Sequence, residues 1–137
     1  MKIVINTCFG GFGLSDKAMY RLAELKGLTL YPEINHGMTF YYIVPKDKRT
    51  PELQGNRVDY PESVLIAHNE ATDKESFYDD DLERNDPDLV QVVEELGTAA
   101  NGFAASLKVV EIPDDIEYEI DEYDGLEHIA ECHRTWD

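Results

Sequence analysis

A glycine-rich turn near the beginning of the chain has residue types and spacing that could bind a ligand. Its glycines tolerate positive φ and a close approach of the backbone. The turn leads into a helix start, where unpaired N–H groups can hold a phosphate or carboxylate. We therefore predict a binding notch for a small nucleotide-like ligand. Its residues are Thr7, Gly10, Gly11, Phe12, Gly13 and Ser15.

The same turn has a plainer interpretation, in which the glycines only redirect the chain while Phe9 and Phe12 pack. The stretch is not a dinucleotide-binding fingerprint, because Asp16 stands where the third glycine should be. It is not a P-loop either, since no Gly-Lys-Ser/Thr follows. Asp16 also argues against strong anion binding. Both interpretations stay open at this point.

A run of alternating apolar and acidic residues near the end of the chain predicts a charged binding surface. Glu117, Glu119 and Asp121 alternate with apolar residues, so on a strand the three carboxylates share one face. Spaced about 6.6 Å apart, they could mimic a line of phosphates and bind a host protein with a basic surface. The alternative is an exposed, solvated sheet face.

Cys8 is the candidate nucleophile of an alternative hypothesis, a small hydrolase or transferase. It precedes the glycines at a place where a helix N-terminus would favour the thiolate. The competing interpretation is a small buried hydrophobic residue. We therefore assign no catalytic residue and expect a non-enzymatic protein. The candidate bases of the alternative are His36, His68, His128 and His133.

No metal site and no cofactor are predicted. His128, Cys132 and His133 could complete a zinc site with Cys8 if their segment were a helix, but we expect a strand there. The acidic run from Asp79 to Asp81 lacks the ligand spacing of a calcium loop.

Apolar periodicity and turn residues predict the elements that position these groups. They indicate an α+β fold, with a mixed, mainly antiparallel sheet and two helices packed on one face. We expect a single domain over 1–137 with a polar excursion at about 45–84. The predicted helices cover Ser15–Lys26 and the segment from Asp86 to Gly97 or Gly102. The predicted strands cover Ile3–Asn6, Leu28–Tyr31, Met38–Val44, Ser63–Ala67, Leu107–Ile112, Ile116–Asp121 and Leu126–Trp136.

The charge of the chain is strongly negative and unevenly placed. The net charge is −17, yet residues 1–50 carry seven Lys and Arg against four acids. Residues 111–137 carry eleven acids and one base. Such a chain disfavours direct contact with nucleic acid or anionic membranes and favours a basic partner. The opposite signs of its two ends are also compatible with a homo-oligomer.

The absence of a long apolar run makes a membrane span unexpected. The segment after Met1 turns polar at Asn6, too soon for a signal-peptide core. The two cysteines lie at opposite ends of the chain and do not suggest a disulfide framework. We therefore expect a cytoplasmic protein.

Three stretches of the sequence resemble a known group of proteins. They are Lys2–Ser15, Asn85–Gly97, and the segment that runs from Val109 through Glu122–Gly125 to Trp136. Together they resemble a family of small uncharacterised proteins from phages and prophages. The resemblance implies context only: an accessory protein in the host cytoplasm that sequesters a host factor, with a counter-defence role, or alternatively a minor virion or assembly component. It implies no activity, cofactor or catalytic residue.

Overall fold

The computed structural model describes residues 1–131, with the backbone alone described at residue 57. This range contains six strands and three α-helices, so the predicted α+β class is confirmed. In chain order the elements are β1 (Lys2–Asn6), α1 (Asp16–Leu25), β2 (Tyr31–Asn35), β3 (Met38–Tyr42), α2 (Glu62–Glu75), α3 (Pro87–Leu96), β4 (Leu107–Glu111), β5 (Tyr118–Tyr123) and β6 (Leu126–Glu131).

The strands form three separate two-stranded antiparallel sheets rather than the single mixed sheet that was predicted. The pairs are β1–β4, β2–β3 and β5–β6. The last two pairs are hairpins closed by His36-Gly37 and Asp124-Gly125, and all four of these residues have positive φ. Two-residue turns of this kind bring chain neighbours together at little entropic cost, so each hairpin pairs with itself.

Two compact units divide the chain. We call Met1–Gly27 together with the residues from Asp79 onward the terminal unit, and Leu28–Tyr78 the inserted unit. The polar excursion predicted at 45–84 falls mostly in the inserted unit. Of the strand predicted at Leu126–Trp136, residues 126–131 are strand as expected. Cys132, His133 and the rest of that segment lie outside the described residues.

The terminal unit has an apolar core built on two capped helices, as predicted. Ser15 Oγ accepts the N–H of Ala18 at 3.1 Å and begins α1. Asp86 caps α3 by accepting the N–H of Asp88 at 2.8 Å, and Pro87 occupies the first helical turn. Helix α3 contacts α1, β1 and β4. The buried side chains of these elements are Ile3, Val4, Ile5, Ala18, Met19, Leu22, Ala23, Leu89, Val90, Val92 and Val93.

The prediction of a short strand at Ser63–Ala67 is wrong, because these residues belong to α2. A four-residue apolar run cannot by itself distinguish a strand from a helix. Four of the eight residues that follow it through Glu75 are good helix formers, namely Glu70, Ala71, Lys74 and Glu75, and the helix extends to fourteen residues. All fourteen are described and none is fully buried. Among residues 1–131, no helix combines the length and apolarity that crossing a bilayer requires.

The strands predicted at Leu28–Tyr31 and Met38–Val44 leave residues 32–37 as the connection between them, but the structure has a shorter one. The two strands pair as a hairpin whose turn is His36 and Gly37, and the first strand begins at Tyr31 instead of Leu28. Pro32 is tolerated in β2 because a strand of a two-stranded sheet has a free edge.

Candidate binding surface around the glycine turn

The glycine turn of the terminal unit packs directly on the turn of the β5–β6 hairpin. Gly10 has φ 132° and Gly11 has φ 102°. The N–H of Gly10 donates to the carbonyl of Asp124 at 3.2 Å. A Cβ on Gly125 would lie 2.3 Å from the nitrogen of Gly11, so the contact requires glycine at position 125. Two distant turns therefore form one continuous surface.

The buried amide of Asn6 holds three segments of this surface together. Its Nδ2 donates to the carbonyls of Cys8 and Gly125, both at 2.7 Å. Its Oδ1 accepts the N–H of Ser106 at 2.8 Å and that of Cys8 at 3.3 Å. Both donors and both acceptor positions of the amide are thus used. Asn6 joins the glycine turn, the hairpin turn and the loop before β4.

A partly buried ion pair lies next to the same turns. Arg84 donates from both terminal nitrogens to the two carboxylate oxygens of Glu127, at 2.6 and 2.9 Å. Glu127 also accepts the N–H of Asn6 at 2.7 Å. The guanidinium of Arg84 lies 3.6 Å from the centroid of the Phe12 ring. Phe12, predicted to contact a ligand, packs against this arginine.

The hydroxyls predicted to bind a ligand have partners within the chain. Thr7 Oγ1 donates to the carbonyl of Ser106 at 3.0 Å, and Ser15 Oγ donates to that of Ala99 at 2.6 Å. The turn does bind an anion, but an internal one: the N–H of Leu14 donates to a carboxylate oxygen of Asp79 at 3.0 Å. A ligand role for the six predicted residues stays a prediction.

Three aromatic side chains are exposed around the paired turns, and we call them the aromatic rim. Phe9, Phe103 and Tyr123 expose 58, 101 and 76% of their surface. Their chain neighbours touch one another: Gly10 lies against Ala104 and bonds to Asp124. Ala104 itself has φ 59°, which is uncommon for a residue with a Cβ. The three exposed aromatic residues are thus carried by segments whose backbones meet at the paired turns.

Carboxylates border the aromatic rim. Glu122 and Asp124 line a shallow depression with Phe9, Gly10, Gly11 and Gly125. One oxygen of Glu122 accepts the N–H of Gly125 at 3.0 Å, which places this carboxylate at the turn. These two acids, together with Phe103 and Tyr123, were not predicted from the sequence. The turn sequence Glu122-Tyr123-Asp124-Gly125 contained the signal, since a hairpin tip is solvent-exposed.

The predicted acidic strand face is placed beside this surface. Glu119 and Asp121 lie in β5 and share a face, while Glu117 precedes the strand. An oxygen of Asp121 lies 3.4 Å from Nε2 of His128 on the neighbouring strand. The hairpin therefore presents acids both along β5 and at its tip.

In the described part of the terminal unit, the candidate nucleophile Cys8 and the candidate base His128 contact different groups. Cys8 is half-buried, and its Sγ donates to the carbonyl of Phe9 at 3.4 Å. His128 faces Asp121 instead. Within the described range 1–131, no three His, Cys, Asp or Glu side chains are grouped to hold a metal ion. Cys132 and His133 lie outside that range.

Comparisons with family models, curated proteins and solved structures gave no match to this chain. The resemblance to phage proteins stays a prediction, and the function must be argued from the geometry of the molecule.

Proposed function

We propose that this chain is a non-enzymatic binding protein that captures a basic surface of a host protein. The binding site is the acidic–aromatic face, which consists of Phe9, Phe103, Tyr123, Glu122 and Asp124. The observation that carries the proposal is the exposure of three aromatic side chains on three segments whose backbones meet at one carboxylate-bordered turn. The phage-type context predicted from the sequence adds the role: sequestration of a host factor.

The aromatic rim supports a protein partner. Large aromatic side chains supply most of the binding energy at many interfaces, and clustered exposed apolar residues mark such sites. Phe103 is fully exposed, and Tyr123 is three-quarters exposed. Their burial by a partner would remove apolar surface from water that the fold leaves uncovered.

The charge supports a basic partner. Arginine and lysine pair with carboxylates and stack on aromatic rings, and this face offers both groups side by side. The net charge of −17 adds long-range attraction for a cationic protein. A nucleotide-like ligand is less well supported, because Gly10 and Leu14 already donate to internal oxygens and carboxylates surround the turn.

The support beneath the face favours tight binding. Asn6 and the Arg84–Glu127 pair hold the two turns in one arrangement before any partner arrives. A preorganised surface loses little conformational entropy on association, so more of its contact energy is expressed as affinity.

The experiment has two steps, of which the second decides. Cross-linking in host lysate identifies the captured protein, and the purified partner is then titrated against variants of the full chain. Phe9→Ala, Phe103→Ala and Tyr123→Ala should each raise Kd by on the order of 30-fold. The matched controls Ile34→Ala, Met38→Ala and Val58→Ala remove exposed apolar side chains of the inserted unit and should leave Kd unchanged. Equal losses in both sets would contradict the proposal.

A second titration tests the charge. The double variant Glu122→Gln with Asp124→Asn removes two charges at the turn and keeps side-chain hydrogen-bonding groups. It should weaken binding several-fold, and less so in high salt. The control Asp47→Asn with Glu62→Gln removes two exposed charges in the inserted unit. If the acidic strand face also contacts the partner, replacing Glu117, Glu119 and Asp121 with Lys should abolish capture with little change in Tm, and unaltered capture would exclude a contribution of the strand face.

A further inference from the structure

The inserted unit contains a polar cavity of about 330 Å³ that the proposed function does not use. It lies between the β2–β3 hairpin, the segment 46–52 and the last turn of α2. This volume is at the lower end of the range for sites that bind small molecules. The sequence analysis treated most of this region as a polar excursion and assigned it no function.

Arg49 forms a fixed wall of the cavity. Its Nη1 donates to a carboxylate oxygen of Glu33 at 2.6 Å, and its Nε donates to the carbonyl of Val44 at 2.9 Å. Its guanidinium stacks 3.7 Å from the centroid of the Tyr42 ring. The side chain of Arg49 is only 13% exposed, and its charge is balanced by Glu33.

The opposite wall is formed by the end of α2. Both carboxylate oxygens of Glu75 accept the N–H of Thr50 at 2.9 Å, and the Thr50 hydroxyl donates to the same group. These bonds lower the pKa of Glu75, so it is ionised at neutral pH. Burial raises the pKa of Tyr42, with a further contribution from Glu33, so the phenol keeps its proton. The cavity therefore presents both a hydrogen-bond acceptor and a donor.

Charges of both signs line the cavity. Glu33, Glu52 and Glu75 face Arg49 and Lys46, and both cations pair with Glu33, so no strong field of one sign draws in an anion. A neutral molecule with several hydroxyl groups suits these walls, because it can donate to carboxylates and accept from arginine and tyrosine. Tyr78, 41% exposed at the cavity, offers a ring on which an apolar face can lie.

We propose that this cavity binds a neutral hydroxyl-rich ring, namely a sugar, either free or as the ribose of a nucleoside. Glu75 accepts from the hydroxyls, Arg49 and Tyr42 form the polar wall, and Tyr78 covers one face of the ring. A ligand of this size in an open site should bind with Kd on the order of 1 mM. This site lies within the inserted unit and does not depend on capture by the terminal unit.

The test is saturation-transfer NMR on the full chain at millimolar ligand. The probes are glucose, galactose, ribose and adenosine, with choline and inorganic phosphate as charged comparisons. Binding of at least one of the first four, without choline or phosphate, is the expected result. A saturation-transfer signal from a hexose identifies the ligand as a free sugar. Signals from adenosine and ribose without a hexose signal identify it as a nucleoside. Binding of the charged probes alone, or of none up to about 50 mM, would overturn the proposal.

Two variants tie binding to the cavity. Tyr78→Ala and Glu75→Gln should each weaken sugar binding by at least about fivefold, while Tyr123→Ala on the aromatic rim should not change it. Partner capture should show the opposite pattern, so failure of one proposal is distinguishable from failure of the other. Backbone amide shifts of residues 33, 42, 49 and 75 should move on titration. Sugar binding that survives both cavity variants would contradict the assignment.

Discussion

The two units of the chain each contain an arginine that pairs with a glutamate and stacks on an aromatic ring. In the terminal unit, Arg84 pairs with Glu127 at 2.6 Å over Phe12, and the glutamate side chain is 8% exposed. In the inserted unit, Arg49 pairs with Glu33 at 2.6 Å over Tyr42, but this glutamate is 28% exposed and lines a cavity.

The difference shows that similar local chemistry serves two purposes according to what surrounds it. Beneath the glycine turn, Glu127 also accepts the N–H of Asn6, so the pair is part of the support of a surface. In the inserted unit, the pair is open to the cavity and leaves room for a ligand. Burial of the carboxylate, rather than the geometry of the pair, distinguishes the two ion pairs.

The largest expected effect comes from removing the arginine in each unit. Arg84→Ala leaves Glu127 buried without its partner and should cost about 3–5 kcal/mol of unfolding free energy. Arg49→Ala should cost less than about 2 kcal/mol, because Glu33 can reach water. Urea denaturation followed through backbone amide signals of each unit measures both. Equal losses of unfolding free energy would indicate that the two ion pairs are equally buried in solution, which would contradict the contrast between the two units.

The next effect concerns apolar packing in the two units. Leu89→Ala truncates a fully buried side chain of α3 and should cost about 2–5 kcal/mol. Ile66→Ala truncates a half-exposed side chain of α2 and should change stability by less than about 0.5 kcal/mol. The same denaturation experiment compares them. A large loss of unfolding free energy for Ile66→Ala would indicate that another surface covers α2 in solution, for example a second copy of this chain.

The smallest effect is a pH dependence in the inserted unit. Bonds from Thr50 hold the pKa of Glu75 below its ordinary value of 4.5. A lowered carboxyl pKa gives stability that is present above the unfolded pKa and lost as pH falls through the folded one. Tm measured between about pH 3 and pH 7 should therefore fall at the acidic end. Thr50→Val removes the hydroxyl bond but keeps the backbone N–H bonds and should make this fall shallower, whereas an unchanged profile would exclude a contribution of the Thr50 hydroxyl.

Much of the terminal unit could be predicted from local signals. Ser15 and Asp86 cap their helices because a side-chain oxygen followed by a helical apolar stripe satisfies the first N–H groups wherever the helix packs. Asp124-Gly125 closes a hairpin because both residues accept positive φ. These rules involve neighbours in sequence and do not require knowledge of the rest of the fold.

The inserted unit was predicted less well, for identifiable reasons. Ser63–Ala67 has too short an apolar run to define a period, and the helix formers after it decide its state. The two-residue turn at His36-Gly37 was not predicted, because Pro32 in β2 favours a loop over a strand. The cavity could not be predicted, because Glu33, Arg49 and Glu75 are brought together by hydrogen bonds between segments well separated in sequence.

The sequence by itself determined the starts of α1 and α3, the Asp124-Gly125 turn and the buried stripes of these two helices, since each depends on residues within a few positions, and its composition determined the acidic character of the chain. The tertiary structure decided which polar groups meet. Arg84 reaches Glu127 across forty-three positions, and Asn6 reaches Gly125 across 119. Such pairs leave no periodic trace in a sequence, because hydrogen bonds between distant segments depend on how the elements pack. The aromatic rim and the polar cavity both result from that packing.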